Sequence, residues 1–198
     1  MLRPKTKIGS PFVIVGMEQA EAGGAKCVCG WEANGGFLLG SNVTRGDRFL
    51  GKLATRDAIL PILSVLSASA TSGVSLTDLF DQLPKRFSRA ALLKKFPRPV
   101  SMKIVDRFGP SNTDAKLELA THFSAAMALP PVKSMDYTDG VRATLENGEV
   151  IHIRPSGNAD ELRIYAVADS QDRADALCAE GVAEPNGLLR RLEAFVGK

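Results

Sequence analysis

The sequence predicts two consecutive domains, a partial α/β domain over residues 1–88 and an α+β domain over residues 89–198. The first region has helical patterns separated by glycine-rich loops, with few strand patterns between them. The second has a helix, three antiparallel strands and a helix, an order typical of a sheet with helices covering one face. Pro84, Pro97 and Pro99 mark the change of pattern, and the predicted boundary lies among them.

The first region contains four predicted elements. An apolar run over residues 12–20 indicates a helix, with Ser10 as its cap and Pro11 at its first position. The others are a buried strand over 26–31, a helix over 57–68 capped by Thr55 and kinked at Pro61, and a short helix from Ser75 or Thr77 to Leu83. These strands are too few for a complete α/β layer, so we expect part of the domain to be missing at its amino end.

The second region begins with a predicted helix over residues 112–127. Alternating apolar and polar residues then predict strands over 141–145 and 150–154, joined by a two-residue turn at Asn147 and Gly148 with positive φ angles. A third strand over 162–167 and two more helices follow, one capped by Asp169 or Ser170 and one near the end of the chain.

Composition excludes several classes of protein. The chain has 198 residues, of which 44% are hydrophobic and 24% charged, values typical of a globular protein with a buried core. No apolar stretch reaches the roughly 18 residues that a membrane span needs, and the first residues do not resemble a signal peptide. Three cysteines are too few for a disulfide framework, so we expect a cytoplasmic protein in which Cys27 and Cys29 pack in the core rather than bind zinc.

The formal net charge of +3 is compatible with nucleic acid or with a small anionic ligand. The densest basic segment covers residues 85–95 and ends in Lys94 and Lys95, with Phe87 and Phe96 as candidate stacking partners. A solvated helix face or an inter-domain surface explains this segment better than a nucleic-acid interface. We therefore expect no nucleic-acid partner and no membrane partner.

Glu32, Asn34 and Gly35 form the first candidate site, in a loop that follows a predicted strand. A carboxylate accepts hydrogen bonds from neighbouring sugar hydroxyls, and an amide both donates and accepts them. Paired glycines allow the backbone to approach a ligand closely. A tight glycine turn with a solvated glutamate is an equally good interpretation of these residues alone.

The second candidate site follows the strand over residues 150–154. Arg154 lies at the end of that strand, and Ser156, Gly157 and Asn158 then supply hydroxyl, backbone N–H and amide donors. Successive N–H groups in such a turn form an anion-binding concavity, and the guanidinium fork matches the oxygens of a phosphate. A structural turn in which Arg154 pairs with Asp160 or Glu161 is the alternative.

These two loops resemble the α-D-phosphohexomutases, in particular the phosphomannomutase/phosphoglucomutase type. The segment from Ile153 to Tyr165 resembles the family's C-terminal phosphate-binding signature, and the segment from Gly30 to Leu38 resembles its sugar-binding loop. Both occur in the family's order, about 120 residues apart. The resemblance covers essentially the whole chain.

The resemblance implies a four-domain parent enzyme that moves a phosphoryl group between the 1- and 6-positions of a hexose through a phosphoserine and a bisphosphate intermediate. Glu32, Asn34 and Gly35 would bind sugar hydroxyls. Arg154, Ser156, Gly157, Asn158 and Arg163 would bind the phosphate that is not transferred. The family's serine loop and its aspartate-rich magnesium loop are absent from this sequence, so we expect no catalytic residue and no metal ligand here.

The expected substrates are mannose and glucose 1- and 6-phosphates, and Mg²⁺ is expected only in the parent enzyme. We interpret the chain as the C-terminal part of such an enzyme, inactive alone, lacking the N-terminal domains and open to self-association through an exposed sheet edge or apolar surface. A stand-alone sugar-phosphate-binding module without catalysis is the alternative.

Overall fold

The computed structural model describes residues 1–32 and 35–197. The chain divides into two compact units, Met1–Pro84 and Lys85–Lys198. In the described part of the chain no helix has the length and apolar character to cross a membrane.

The described residues of the first unit form three helices and two small antiparallel hairpins. Strand β1 pairs with β2, and β3 pairs with β4. Its elements in chain order are α1 (Ser10–Ala22), β1 (Cys29–Trp31), β2 (Phe37–Leu39), β3 (Val43–Arg45), β4 (Arg48–Leu50), α2 (Ile59–Ser72) and α3 (Leu76–Asp81). Only Val13, Met17 and Leu38 form its buried apolar cluster among the described residues.

The start of α1 differs from the prediction. Gly9 is the N-cap residue, with a φ of 131°, and Pro11 lies in the first turn. Ser10 is the first helical residue and caps nothing; its hydroxyl instead donates to Glu32 Oε1 at 2.9 Å. The predicted cap is therefore wrong, because a buried carboxylate competes for the same hydroxyl.

Helix α2 begins two residues later than predicted. Asp57 Oδ1 accepts hydrogen bonds from the backbone N–H groups of Ile59 and Leu60, at 2.8 and 3.0 Å, and so takes the capping role expected of Thr55. Pro61 is then in the first helical turn, where its missing N–H has no intrahelical partner to lose. No kink is required there, and no residue of α2 is buried.

The strand predicted over residues 26–31 is shorter than expected. Only Cys29–Trp31 is extended, since Cys27 has a positive φ of 55°. Cys27 and Cys29 are both exposed free thiols. The prediction that they pack in the core is wrong, because Cys27 precedes β1 with a positive φ, and within β1 only Gly30 is buried.

The second unit is a five-stranded antiparallel sheet with the order β5-β9-β8-β7-β6. Helices α4 and α6 pack on the sheet, and α7 packs against both of them. Its elements are β5 (Phe87–Lys94), α4 (Arg98–Arg107), α5 (Ala115–Thr121), a 3₁₀ turn (Ala125–Met127), β6 (Val132–Asp136), β7 (Val141–Leu145), β8 (Val150–Pro155), β9 (Glu161–Ala168), α6 (Gln171–Gly181) and α7 (Leu188–Val196). The predicted α+β architecture is confirmed.

The strands β5 and β6 and the helix α4 were not predicted from the sequence. β5 carries an irregular mixture of basic and apolar residues and is exposed along most of its length. It is a strand because all eight of its residues pair with β9, a contact distant in sequence. Helix α4 lies between prolines that favoured a linker, and the helix expected over 112–127 is only α5 plus the short 3₁₀ turn.

The β7–β8 hairpin is present, but its turn is not the predicted one. Gly148 has a φ of 81°, whereas Asn147 does not have a positive φ. The N–H of Gly148 donates to the carbonyl of Leu145, and the N–H of Leu145 donates to the carbonyl of Glu149. A three-residue turn with a glycine bulge therefore joins the strands, and the register places Val141 opposite Ile153.

Candidate functional site

The strands β8 and β9 place two arginines side by side. Arg154 pairs with Arg163 in the register, one step from the loop that joins the two strands. Alternation along β9 buries Leu162 and Ile164 in the core and leaves Arg163 half-buried on the opposite face, which it shares with Arg154. Like charges directly opposite each other are unfavourable in a sheet, so this pair is a local conflict of the kind found at binding sites.

Each arginine also has a carboxylate beside it. Arg154 Nε donates to Asp139 Oδ2 at 2.6 Å, whereas its two terminal nitrogens make no hydrogen bond with any described residue. The partner of Arg154 is thus neither Asp160 nor Glu161. Arg163 Nη2 donates to Glu161 at 3.0 Å, and this hydrogen bond raises the pKa of Arg163.

The turn before β7 is built to hold Asp139 in this position. Gly140 has a φ of 82°, and a Cβ there would lie 2.4 Å from the carbonyl oxygen of Ile153. Only glycine fits so close to β8 at this angle. The carbonyl of Asp139 also lies 2.6 Å from Nε2 of His152, and burial lowers the pKa of that histidine.

The loop between β8 and β9 uses its first residue internally. Ser156 is 1% exposed; its N–H donates to the carbonyl of Glu161, and its hydroxyl donates to Asn158 Oδ1 at 3.2 Å. Ser156 Oγ also accepts a hydrogen bond from Arg163 at 3.3 Å. Ser156 therefore holds the start of the loop against β9.

The next two residues of the loop have free donors. Gly157 and Asn158 are exposed, and within the described part of the chain their backbone N–H groups make no hydrogen bond. The side-chain nitrogen of Asn158 is likewise unbonded there. Consecutive N–H groups without a described partner, in a loop whose flanking strands carry two arginines, are donors suited to an anion.

Sequence reasoning missed a third arginine at this loop. Arg98 Nη1 lies 2.6 Å from the carbonyl oxygen of Ser156 and 3.1 Å from that of Gly157. The backbone N–H of Arg98 donates to Asp160 Oδ1, and that of Phe96 donates to the carbonyl of Asp160. The sequence signal was an arginine at the first position of a helix, where a positive charge is unfavourable.

In the first unit, Glu32 is an almost completely buried carboxylate whose side chain is 2% exposed. Its Oε1 accepts three hydrogen bonds, one from Ser10 and two from Arg56 at 3.0 and 2.7 Å. Its Oε2 is buried and has no partner among the described residues. A buried acceptor without a donor is costly unless a ligand or water supplies one.

The loop around Glu32 is also a tight turn. The N–H of Glu32 donates to the carbonyl of Gly36, and the N–H of Gly35 donates to that of Glu32. Gly35 is exposed with a φ of 87°, and a Cβ on Gly36 would lie 2.9 Å from Arg56 Nε. The glycine-turn interpretation and a ligand-binding glutamate are therefore compatible. Asn34 lies outside the described residues.

Metal-ligating side chains do not cluster in the part of the chain that the structure describes. In residues 1–32 and 35–197 no three histidine, cysteine, aspartate or glutamate side chains lie close enough together to hold an ion.

The basic segment over residues 85–95 does not carry the aromatic platform of a nucleic-acid site. Lys94 and Lys95 are exposed, but Phe96 is completely buried. Phe96 packs in the core beneath Arg190, whose guanidinium carbon lies 5.7 Å from the ring centroid. One of the two candidate stacking partners is thus a core residue.

Two family models match consecutive parts of the chain. Residues 4–87 match the α/β/α domain III of phosphoglucomutase/phosphomannomutase, and residues 110–184 match the C-terminal domain of the same family. Together they cover most of the chain, in the order that the sequence predicted. The chain belongs to the phosphoglucomutase/phosphomannomutase family.

Its relatives are mutases. A phosphomannomutase of Salmonella muenchen is 40% identical over 170 residues, covering 86% of this chain and 34% of the relative. A phosphomannomutase of Sinorhizobium fredii is 37% identical over 93% of this chain and 38% of the relative, and a phosphoacetylglucosamine mutase of Sus scrofa is 30% identical over 64% and 20%. The chain thus spans about a third of the length of the phosphomannomutases that it matches.

Proposed function

We propose that this chain supplies the sugar-binding and phosphate-binding domains of a phosphomannomutase/phosphoglucomutase-type enzyme. In that enzyme a hexose 1-phosphate and its 6-phosphate would be interconverted through a phosphoserine and a bisphosphate. The chain would bind the substrate, and the reacting serine and the magnesium ligands would lie in other domains of the parent. A cytoplasmic location is part of the same proposal.

The phosphate end of the substrate is assigned to the β8–β9 loop. The observation that carries this proposal is that the N–H groups of Gly157 and Asn158 have no partner among the described residues, in a loop whose flanking strands bring Arg154 and Arg163 together. A phosphate oxygen accepts several hydrogen bonds at once and would satisfy these donors. Asp139 offsets part of the charge of Arg154 until the anion binds.

The sugar end is assigned to Glu32. A hydroxyl could donate to Oε2, which has no partner among the described residues, while Arg56 and Ser10 occupy Oε1. A carboxylate with one free oxygen selects a hydroxyl donor and disfavours a second anion. Gly35 and Asn34 complete this proposal as neighbours in the same loop.

The chain would contribute to catalysis through positioning. Phosphoryl transfer depends mainly on holding the reacting groups in line and on stabilising the developing charge. Binding of the phosphate that is not transferred would allow the parent enzyme to bind its substrate in either of two orientations. No described residue has a role in bond making under this proposal.

Titration of the nitrogen-15-labelled chain with mannose 1-phosphate tests the proposal. We expect NMR shifts at the Gly157 and Asn158 amides, with affinity at least roughly tenfold weaker in Arg154→Ala, since a charge-assisted hydrogen bond contributes about 1.5–3 kcal/mol. Arg89→Ala is the matched control, because Arg89 pairs with Ala166 in the register, well away from the loop. Unchanged loop amides in the native chain would refute the phosphate site.

The same sample tests the absence of catalysis. Phosphorus NMR should show no conversion of mannose 1-phosphate into the 6-phosphate, because the proposed phosphoserine lies in another domain. Conversion by the pure chain would contradict this assignment. Tight binding without conversion, unaffected by Glu32→Gln, would favour the alternative of a stand-alone phosphate-binding module.

A further inference from the structure

We propose that Arg98 is a positioning residue that aims the backbone donors of the phosphate loop. This inference rests on the proposed phosphate site and adds a residue to it. The guanidinium of Arg98 contacts the loop between β8 and β9 through the carbonyl oxygens of Ser156 and Gly157, at 2.6 and 3.1 Å.

Because the peptide bond is planar, these contacts determine the direction in which the neighbouring N–H groups point. In a trans peptide the carbonyl of one residue points opposite to the N–H of the next. Holding the carbonyls of Ser156 and Gly157 towards Arg98 therefore turns the N–H groups of Gly157 and Asn158 to the other side of the loop. These are the two amides without partners in the described chain.

The same segment fixes the far end of the loop. The backbone N–H groups of Phe96 and Arg98 donate to the carbonyl and the carboxylate of Asp160, at 3.0 and 3.2 Å. Phe96 is completely buried, so the segment is anchored in the core. The loop is thus held at Ser156, Gly157 and Asp160 from a single short segment.

Helix energetics alone disfavour this arginine. Arg98 is the first residue of α4, where the N–H groups of the first turn give the helix a partial positive charge and an acidic residue is preferred. Pro97 and Pro99 flank it and restrict the backbone, which limits the positions that the guanidinium reaches. Residues that break a local preference are expected where they serve a site.

The test compares Arg98→Met with the native chain in a titration with inorganic phosphate followed at the Gly157 and Asn158 amides. We expect phosphate affinity to fall about tenfold, because a loop that is not held must be ordered on binding. The heteronuclear NOE of both amides should also fall before phosphate is added. Arg89→Met, which removes one positive charge on β5, should leave both quantities unchanged.

The outcomes separate this inference from the proposal beneath it. If the native chain shows no phosphate shifts at these amides, the phosphate site itself is wrong. If native shifts occur and Arg98→Met binds equally well, or binds less well with unchanged NOE values, the positioning role is wrong. Should Arg98→Met fail to fold, Arg98→Lys replaces it: intermediate affinity and NOE values support the role, and native values overturn it.

Discussion

At the scale of single residues, both candidate sites depend on arginines that hold another group in place. Arg56 occupies one oxygen of Glu32 while the other has no partner among the described residues, and Arg98 holds two carbonyls of the β8–β9 loop. Neither arginine belongs to the two motifs that the sequence singled out. Their partners are 24 and 58 residues away along the chain.

Removal of Arg56 should destabilise the first unit. Arg56→Met leaves a carboxylate that is 2% exposed without its two strongest donors, and we expect a loss of about 2 kcal/mol, reduced from the value for a buried pair because Arg56 itself is half-exposed. Urea denaturation followed by Trp31 fluorescence measures it.

Arg48→Met is the control for charge, since Arg48 is exposed on β4 and makes no ion pair with a described residue. A change within about 0.5 kcal/mol is expected for such a surface site. Equal losses in the two variants would mean that Arg56 does not support Glu32.

At the scale of elements, the pairing of β8 and β9 decides which side chains share a face. The stacked rings of His152 and Tyr165, with centroids 5.5 Å apart, lie two register positions from Arg154 and Arg163, on the same face of the sheet. Because β8 is an interior strand, His152 is shielded on both sides and its pKa is lowered, mainly by burial. The same cause lowers the pKa of His122.

This shielding predicts a pH dependence of stability. The unfolded chain binds a proton near the ordinary histidine value of 6.5, whereas the folded chain binds it only at lower pH. The stabilisation is therefore complete above about pH 7 and is lost as the pH falls through 6.5 towards the folded pKa. Carboxylates with lowered pKa values, such as Glu118 and Glu149, act only at more acidic pH.

Urea unfolding of the native chain at about pH 7.5 and about pH 5.5 checks this expectation. His152→Phe keeps a ring against Tyr165 and should flatten the pH dependence in part, with the remainder due to His122. A decrease in stability that is identical in native protein and His152→Phe would assign the whole effect elsewhere.

At the scale of the whole molecule, the two units have very different cores. The second unit buries a continuous cluster between its sheet and helices, with Phe96, Ile104, Phe108, Leu162 and Ile164 among its completely buried members. The described part of the first unit buries only Val13, Met17 and Leu38 as a cluster. Burial of apolar area is the main source of stability, so the two should differ.

We therefore expect two transitions in urea. Trp31, the only tryptophan, reports on the first unit, while far-UV circular dichroism also reports on the sheet of the second. The Trp31 transition should have the lower midpoint. Ile164→Ala, with an expected cost of about 2–5 kcal/mol, should shift only the later transition. A single coincident transition by both probes would contradict this picture.

The sequence by itself determined the features that depend on local chemistry. The β7–β8 hairpin, strand β9 with its alternation, the Ser75 and Ser170 helix caps and the order of the two motifs are all properties of neighbouring residues. For that reason the α+β class and the family were predictable. The type of the β7–β8 turn and the length of β1 were less predictable, since each depends on a few backbone angles.

Only the tertiary structure decided which distant residues meet. It paired the irregular strand β5 with β9, buried Ser156 beneath its loop and placed Asp139 rather than Asp160 or Glu161 beside Arg154. It also brought Arg56 to Glu32 and Arg98 to the loop between β8 and β9. A buried carboxylate or a loop carbonyl accepts hydrogen bonds from whichever donor the fold brings near. Local sequence patterns do not indicate which donor that is.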